Sequence, residues 1–574
     1  MKNTIINILK TFIIISIISI YFSFICLKTC SNFFLPNFYI EFPELLDLDF
    51  SLIIKYLKII FPITTIISSY ILVFSFYISN IQNVNKRKSN KKNNLLNLNN
   101  TSPNNILNNG ELKLLIGNNC KTNEQIYISD KALYQNILVT GSIGSGKTSG
   151  VIYPILNQLL SYNISGLILD VKGNMTNTIT NVLEKYNKTD KLRIIELNGK
   201  YKYNPLHKPN LKAYVLANRL ITILSLFSNK QNNDTYWFDK AENLLTQVIK
   251  LIRLYNNEYV TFIEIHKIVN DNEYLKNKLD IVKNMFIQNK LSAINQFDFN
   301  TILSYFKNEY VNLDNRVSSI IISEITRLTS IFLSDIDIQN TFCPNINEIN
   351  FNGFDSIFEN KEIVLLQMNI AQYQNLSKII SAYLKLDFQT EILKQNTDNI
   401  SPSFFVCDEY QEYVTENDTN FFSLAREYKC INIISSQSYS SILNTLNNQN
   451  ATNVLLQSFI NKIFLRTDDI YTIEQTQKLF GKQDKIKYTN SISENAQETN
   501  YNHLLNIMQS KKSNISESIS TYITKEDVFD SKDFSQNLKL FEAIVYISNG
   551  INMLPPSVIK LNPFFERRNK IEKI

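Results

Sequence analysis

The stretch "NILVTGSIGSGKTSGVIYPIL", residues 136–156, decides the reading of the chain. It opens on an apolar run ending at Thr140, passes through a glycine-rich turn, and continues as "SGVIYPILNQLL", which reads as a helix. Gly141, Gly144 and Gly146, followed by Lys147 and Thr148, fit the phosphate-loop pattern. In that pattern glycines let backbone N–H groups curl around an anion, and the helix N-terminus adds its positive end. Gly141, Ser142, Gly144, Ser145, Gly146, Lys147, Thr148 and Ser149 are therefore expected to hold ATP. Lys147 should reach the β and γ phosphates, and the Thr148 hydroxyl should ligate Mg²⁺. A glycine turn matching by chance would lack the strand before it and the helix after it.

Phosphoryl chemistry also needs acids at the end of a neighbouring strand, one to hold Mg²⁺ and one to orient water. "GLILDVKG" ends in Asp170, but valine follows and no second acid is near. "SFFVCDEYQEY" ends in Asp408 with Glu409 directly after, which supplies both roles: Asp408 for the metal and Glu409 for the attacking water. The rival reading of this pair is a strand end on a solvated face. Downstream, "INIISSQSYSSI" carries Gln437, whose amide could sense the γ-phosphate, although a glutamine at a strand end is more often structural. Arg426 in "FFSLAREYKC" is expected on a helix, where it serves either as an arginine finger toward a neighbouring subunit or in a surface salt bridge.

The rest of the chain is long enough for more than one core: 574 residues, 44% hydrophobic. Its 58 Lys+Arg against 52 Asp+Glu leave +6, too mild to argue for nucleic acid alone. Six cysteines, at 26, 30, 120, 343, 407 and 430, show neither zinc spacing nor a disulfide framework. Only His207, His266 and His503 are present, which speaks against a His-rich metal nuclease or a His-based nicking site.

Apolar runs at 136–140, 166–170, 363–369, 404–408, 431–437, 462–466 and 542–547 lack alternation and suit parallel strands buried on both faces. Helix-like stretches lie between them, so a doubly wound α/β domain is expected. Residues 210–345 instead repeat at helical spacing, as in "FDKAENLLTQVIKLIRLY", and are expected to form an all-α insertion. The ATPase domain would then comprise 110–209 and 346–574.

Residues 11–27 and 59–78 are uncharged, and each is close to the roughly 20 residues a membrane-crossing helix needs. Basic "NKRKSNKK" follows the second, while Glu41, Glu44, Asp47 and Asp49 lie between them. The positive-inside rule then puts both termini in the cytoplasm. Residues 1–80 are thus expected to be a two-pass anchor in the cell (inner) membrane, with 81–109 a basic, Asn-rich tether.

The order "GSIGSGKT", "LILDVKGN", "YKYNPL", "YWFDKAENLL", "FFVCDEYQEY" and "INIISSQS", behind two apolar segments, resembles the type IV secretion coupling proteins, the conjugative transfer ATPases of the TraG and TraD type. The resemblance runs from the first apolar segment to near residue 550. It implies a RecA-like P-loop motor with an inserted all-α domain behind two transmembrane helices, assembled as a homo-hexamer and using ATP and Mg²⁺. By it, Lys147 and Thr148 match the nucleotide pair, Asp408 and Glu409 the hydrolysis pair, Gln437 the family's glutamine and Arg426 a basic finger. The family usually has proline and glutamate in the motif written here Asp170-Val171-Lys172-Gly173-Asn174, and phenylalanine or leucine where Tyr410 stands.

The implied partners are single-stranded DNA with a relaxase or a protein cargo, and the components of a secretion channel. Lys202, Lys208 and Lys212 are scattered in the manner of a solvated surface rather than a DNA track. Two rival readings are a membrane-tethered DNA pump of the chromosome-segregation type and a non-hydrolysing scaffold. The first calls for more membrane spans and a terminal winged-helix DNA reader, whereas "NPFFERRNKIEKI" reads as a short charged tail, and the second sits poorly with an intact Lys147, Thr148, Asp408 and Glu409 set.

Overall fold

The computed structural model describes residues 112–227, 234–396, 400–415, 417–494, 499–502, 507–510 and 515–564, which lie in the compact unit Glu111–Ile574. The two apolar segments, the tether, Cys26, Cys30 and His503 fall outside the described residues. Among those described, no single helix is long and apolar enough to cross a membrane.

Among the described residues fifteen strands run in chain order: β1 Lys113–Asn119, β2 Gln125–Ser129, β3 Ile137–Thr140, β4 Ser165–Asp170, β5 Leu192–Ile195, β6 Ile363–Gln367, β7 Ser403–Cys407, β8 Cys430–Ser436, β9 Asn461–Phe464, β10 Lys482–Glu494, β11 Thr499–Asn502, β12 Ile507–Ser510, β13 Ile515–Asp527, β14 Glu542–Tyr546 and β15 Ser557–Leu561. Eleven of them form one sheet, in the order β2-β1-β15-β14-β9-β3-β8-β7-β4-β6-β5. From β9 to β5 every pairing is parallel.

The apolar runs explain this core. In β3, Leu138 faces one hydrophobic layer while Ile137 and Val139 face the other, and in β4 Leu167 and Leu169 oppose Ile168 in the same way. With both faces covered, a strand has no wet side, so its sequence need not alternate. One layer holds the helices Tyr153–Leu159 and Thr176–Lys185; the opposite layer holds Ala213–Leu224 and Ile370–Lys394. Gly166 in β4 lies flat against the Phe404 ring of β7, where an added Cβ would come within 2.3 Å.

The run at 542–547 departs from its expectation. As β14 it is antiparallel to β9 and extends the sheet through β15, β1 and β2. Composition distinguishes a parallel from an antiparallel strand poorly when both are buried.

Between Ala213 and Phe342 the described elements are helical. Five successive helices begin with a side chain that accepts a backbone N–H: Thr261, Asp271, Ser292, Asp314 and Asp335. Each such cap satisfies a donor the helix cannot. The helices close on an apolar interior in which Phe262 and Phe332 stack with centroids 3.9 Å apart.

Beyond β9, β10 and β13 pair over thirteen residues, Lys482–Glu494 against Ile515–Asp527, as a separate antiparallel ribbon. One face carries exposed Ile486, Tyr488, Ile519 and Ile523; Lys485, Lys487 and Thr489 lie on the other.

The expectation that Lys208 belongs to a solvated surface is wrong. It is buried, and its Nζ lies 2.8 Å from Asp387, which also meets Arg219 at 3.0 Å. Asp387 belongs to the long helix Ile370–Lys394, and so does Lys385, whose fully buried ammonium pairs with Asp418 at 2.6 Å. Asp418 also accepts from the Tyr410 hydroxyl and from Thr415 N–H, tying this helix to the chain just after β7. Replacing Lys385 by Met leaves Asp418 buried without its counter-charge, which should cost about 3–5 kcal/mol. A thermal melt of the full chain should show a clear drop in midpoint for Lys385→Met. The double variant Lys385→Met/Asp418→Leu should recover much of it; equal losses in the two would rule out an unpaired charge as the cause.

Candidate nucleotide-binding site

The glycine turn leaves β3 at its C-terminal end, where open parallel sheets bind ligands. Gly144 and Gly146 have φ of +76° and +95°, values that favour residues without a side chain. At Gly141 an added Cβ would meet Ser145 Oγ at 2.6 Å and Leu465 Cβ at 2.8 Å. The turn is pinned from outside: Ser142 N–H donates to the Arg466 carbonyl at 2.9 Å, and Ser142 Oγ to Asp468 at 2.8 Å. After it the chain winds through one π turn, Thr148–Ile152, into the helix Tyr153–Leu159.

Lys147 is buried, and its ammonium donates to the Gly141 carbonyl at 2.6 Å. Burial lowers its pKa, against the pull of the Glu409 and Asp408 charges. Thr148 Oγ1 donates to Asp408 Oδ2 at 2.8 Å, closing a separation of 260 residues. The other Asp408 oxygen accepts from the Ser435 hydroxyl of β8 and, at 3.1 Å, from Glu409 N–H.

Glu409 is largely buried and sits at φ +52°, a left-handed conformation that costs a non-glycine residue about 1–3 kcal/mol. Lys172 Nζ lies 3.0 Å from its Oε1 and 3.7 Å from Asp408. Its Oε2 accepts from Gln411 at 2.8 Å and from Gln437 at 3.3 Å. Burial pushes the Glu409 carboxyl up, but the bonds from Gln411 and Lys172, with the charges of Lys172 and Lys147, hold it below the usual carboxylate range.

The expected residues divide accordingly. Lys147, Thr148, Asp408, Glu409 and Gln437 meet at the C-terminal ends of β3, β7 and β8. Arg426 does not join them. It is exposed and lies in the turn after the helix Asp418–Leu424, not on a helix, at the opposite end of β8 from Gln437. Lys429 takes a left-handed φ of +47°, which ends any helical path and turns the chain into Cys430 at the start of β8.

Asp170 proves to be a turn builder. Its carboxylate accepts from the amides of Lys172, Gly173 and Met175 at 3.1, 3.0 and 2.6 Å. Burial raises its pKa, and those bonds offset part of the rise. Gln411 and Ser435 were missed by sequence reasoning. Gln411 follows Glu409 by two positions, a signal that was available; Ser435 carries none, since only the β7–β8 pairing brings it to Asp408.

The donor set fits a magnesium nucleotide. Ser145 Oγ is buried in the turn without a hydrogen-bond partner, and a hydroxyl and a carboxylate converge beside the buried ammonium. Among the described residues no three His, Cys, Asp or Glu side chains group as a metal site. Mg²⁺ that arrives with phosphates typically takes only one or two protein ligands, a number the Thr148 hydroxyl and Asp408 carboxylate could supply.

Residues 402–536 match the family model described as the TraM recognition site of TraD and TraG. Among solved structures, the chain aligns with the bacterial conjugative coupling protein TrwBdeltaN70 in an unbound form, with TM-score 0.53, 14% identity, and 76% of this chain and 87% of that one covered. The chain resembles the type IV coupling proteins. Plasmid coupling protein TrwB in complex with the GTP analogue GDPNP aligns at TM-score 0.52 and 14% identity over 75% of this chain and 86% of that one. TrwB in complex with ADP and Mg²⁺ aligns at 0.51 and 14% over 76% and 87%. At this identity the likeness to a coupling protein is one of fold. No curated protein matches the sequence. The segment that matches the TraG and TraD model begins one residue before β7, so it includes Asp408, Glu409, Gln437 and the β10–β13 ribbon.

Proposed function

We propose that this chain is a membrane-anchored ATPase that recruits and drives a DNA–relaxase complex, or a protein cargo, into a type IV secretion channel. The observation that carries the reading is the 2.8 Å bond between Thr148 and Asp408, which gathers the phosphate loop and the acidic pair into one site. The TrwB structures with GDPNP and with ADP and Mg²⁺ support nucleotide binding on this fold. The match to a TraM recognition model supports protein docking on residues 402–536.

In this reading the loop amides and Lys147 hold the phosphates, while Thr148 and Asp408 hold Mg²⁺. The metal, when bound, neutralises charge on the β and γ oxygens. Glu409 takes the proton of the attacking water, and its depressed pKa keeps it ionised at neutral pH. Gln437, already on Glu409, registers whether the γ-phosphate is present. Arg426, outside its own site, is left a role toward a neighbouring subunit of a hexamer. The two apolar segments and the basic stretch after them support a two-pass anchor with the motor in the cytoplasm.

ATP hydrolysis by the full chain, measured at several protein concentrations with and without single-stranded DNA, tests the motor. Turnover per chain should rise with concentration, because subunits complete one another's sites, and DNA should raise it further. Absence of hydrolysis under all these conditions would end the ATPase reading. Normal conjugal transfer from cells lacking the gene would end the coupling role.

A further inference from the structure

The motif Asp170-Val171-Lys172-Gly173 has a geometry that the roles above do not use. Asp170 closes a tight turn at the end of β4 through three backbone amides. Gly173 has φ +67°, and an added Cβ would press on Asn369 at 3.2 Å; from the other side Ile370 N–H donates to the Val171 carbonyl at 2.9 Å. The backbone on both sides of Lys172 is therefore held. Because β4 pairs in parallel with β7, with Leu169 opposite Cys407, Lys172 emerges beside Asp408 and Glu409.

From there its ammonium holds Glu409 Oε1 at 3.0 Å, while Gln411 and Gln437 hold Oε2. Three groups from three segments grip one carboxylate whose backbone is itself in a disfavoured conformation. A purely structural ion pair explains this poorly. Lys172 is half exposed, and exposed pairs contribute little to stability.

Resting on the ATPase reading above, we infer that Lys172 is a positioning residue, which aims the Glu409 carboxylate at the attacking water. It acts through Glu409 and not on the phosphates, so its loss should slow turnover and spare nucleotide affinity. A misaimed base costs roughly ten- to a hundredfold.

The test compares wild type, Lys172→Met and Lys172→Arg in the full chain, each also in a Glu409→Gln background. Steady-state ATP hydrolysis, affinity for a fluorescent ATP analogue with and without Mg²⁺, and the melting midpoint are measured. Lys172→Met should lower kcat roughly ten- to a hundredfold. Affinity and melting should stay near wild type, Lys172→Arg should restore part of the rate, and Glu409→Gln should mask the effect. A tenfold loss of affinity would make Lys172 a phosphate ligand and overturn the inference. So would a wild-type rate in Lys172→Met, or an equal fold-loss in the Glu409→Gln background. A wild-type chain without turnover would instead remove the ATPase reading, and the inference with it.

Discussion

Lys147→Ala is expected to lower ATP turnover by roughly two to three orders of magnitude, the usual cost of removing a preorganised charge from a transferring phosphoryl group. The argument rests on placement. The ammonium is buried in the glycine turn, held on the Gly141 carbonyl, and next to the Thr148–Asp408 contact. Burial disfavours the isolated Lys147 charge, and the anionic oxygens of the proposed nucleotide would offset that cost. Nucleotide affinity should fall as well, because in the proposed mechanism Lys147 holds the phosphates before and during reaction. Hydrolysis is checked by phosphate release, and function by conjugal transfer from cells carrying only the variant. A variant that still transfers at the wild-type rate would refute the assignment.

Glu409→Gln should separate binding from chemistry. The amide keeps the size of the side chain and can still bond Gln411 and Gln437, but it cannot accept a proton from water. Turnover is expected to drop roughly 10²- to 10⁴-fold, the range for losing a positioned general base, while ATP affinity remains near wild type. Loss of the negative charge also releases Lys172 from its 3.0 Å contact, so the fold should change little. Equilibrium nucleotide binding alongside single-turnover hydrolysis checks both halves. Normal turnover would move the base elsewhere, with Asp408 too closely engaged by Thr148 and Ser435 to replace it.

Much of the sheet was legible because its centre is buried on both faces. The runs at β3, β4, β6, β7, β8 and β9 are apolar without alternation, and that alone marks buried strands. β5 escaped notice because Arg193 interrupts a four-residue strand, and β1, β2 and β15 because polar residues are mixed into their pattern. The β10–β13 ribbon carries a period-two signal in Ile486, Tyr488 and Ile492 that could have been read. The Lys208 burial could not, since a lysine looks the same in sequence whether or not an aspartate waits for it 179 residues on, as Asp387 does.

The sequence by itself determined which chemical groups this protein has to work with: a glycine turn with Lys147 and Thr148, and a strand ending in Asp408 and Glu409. Tertiary structure alone decided which of them meet. The sheet order β3-β8-β7-β4 puts Thr148 on Asp408 and Lys172 on Glu409, across 260 and 237 residues. It also made Asp170 the closure of a turn and left Arg426 before the far end of β8. The reason is physical: periodicity and propensity report on neighbours within a few residues, whereas strand order is set by how whole layers of apolar surface cover one another.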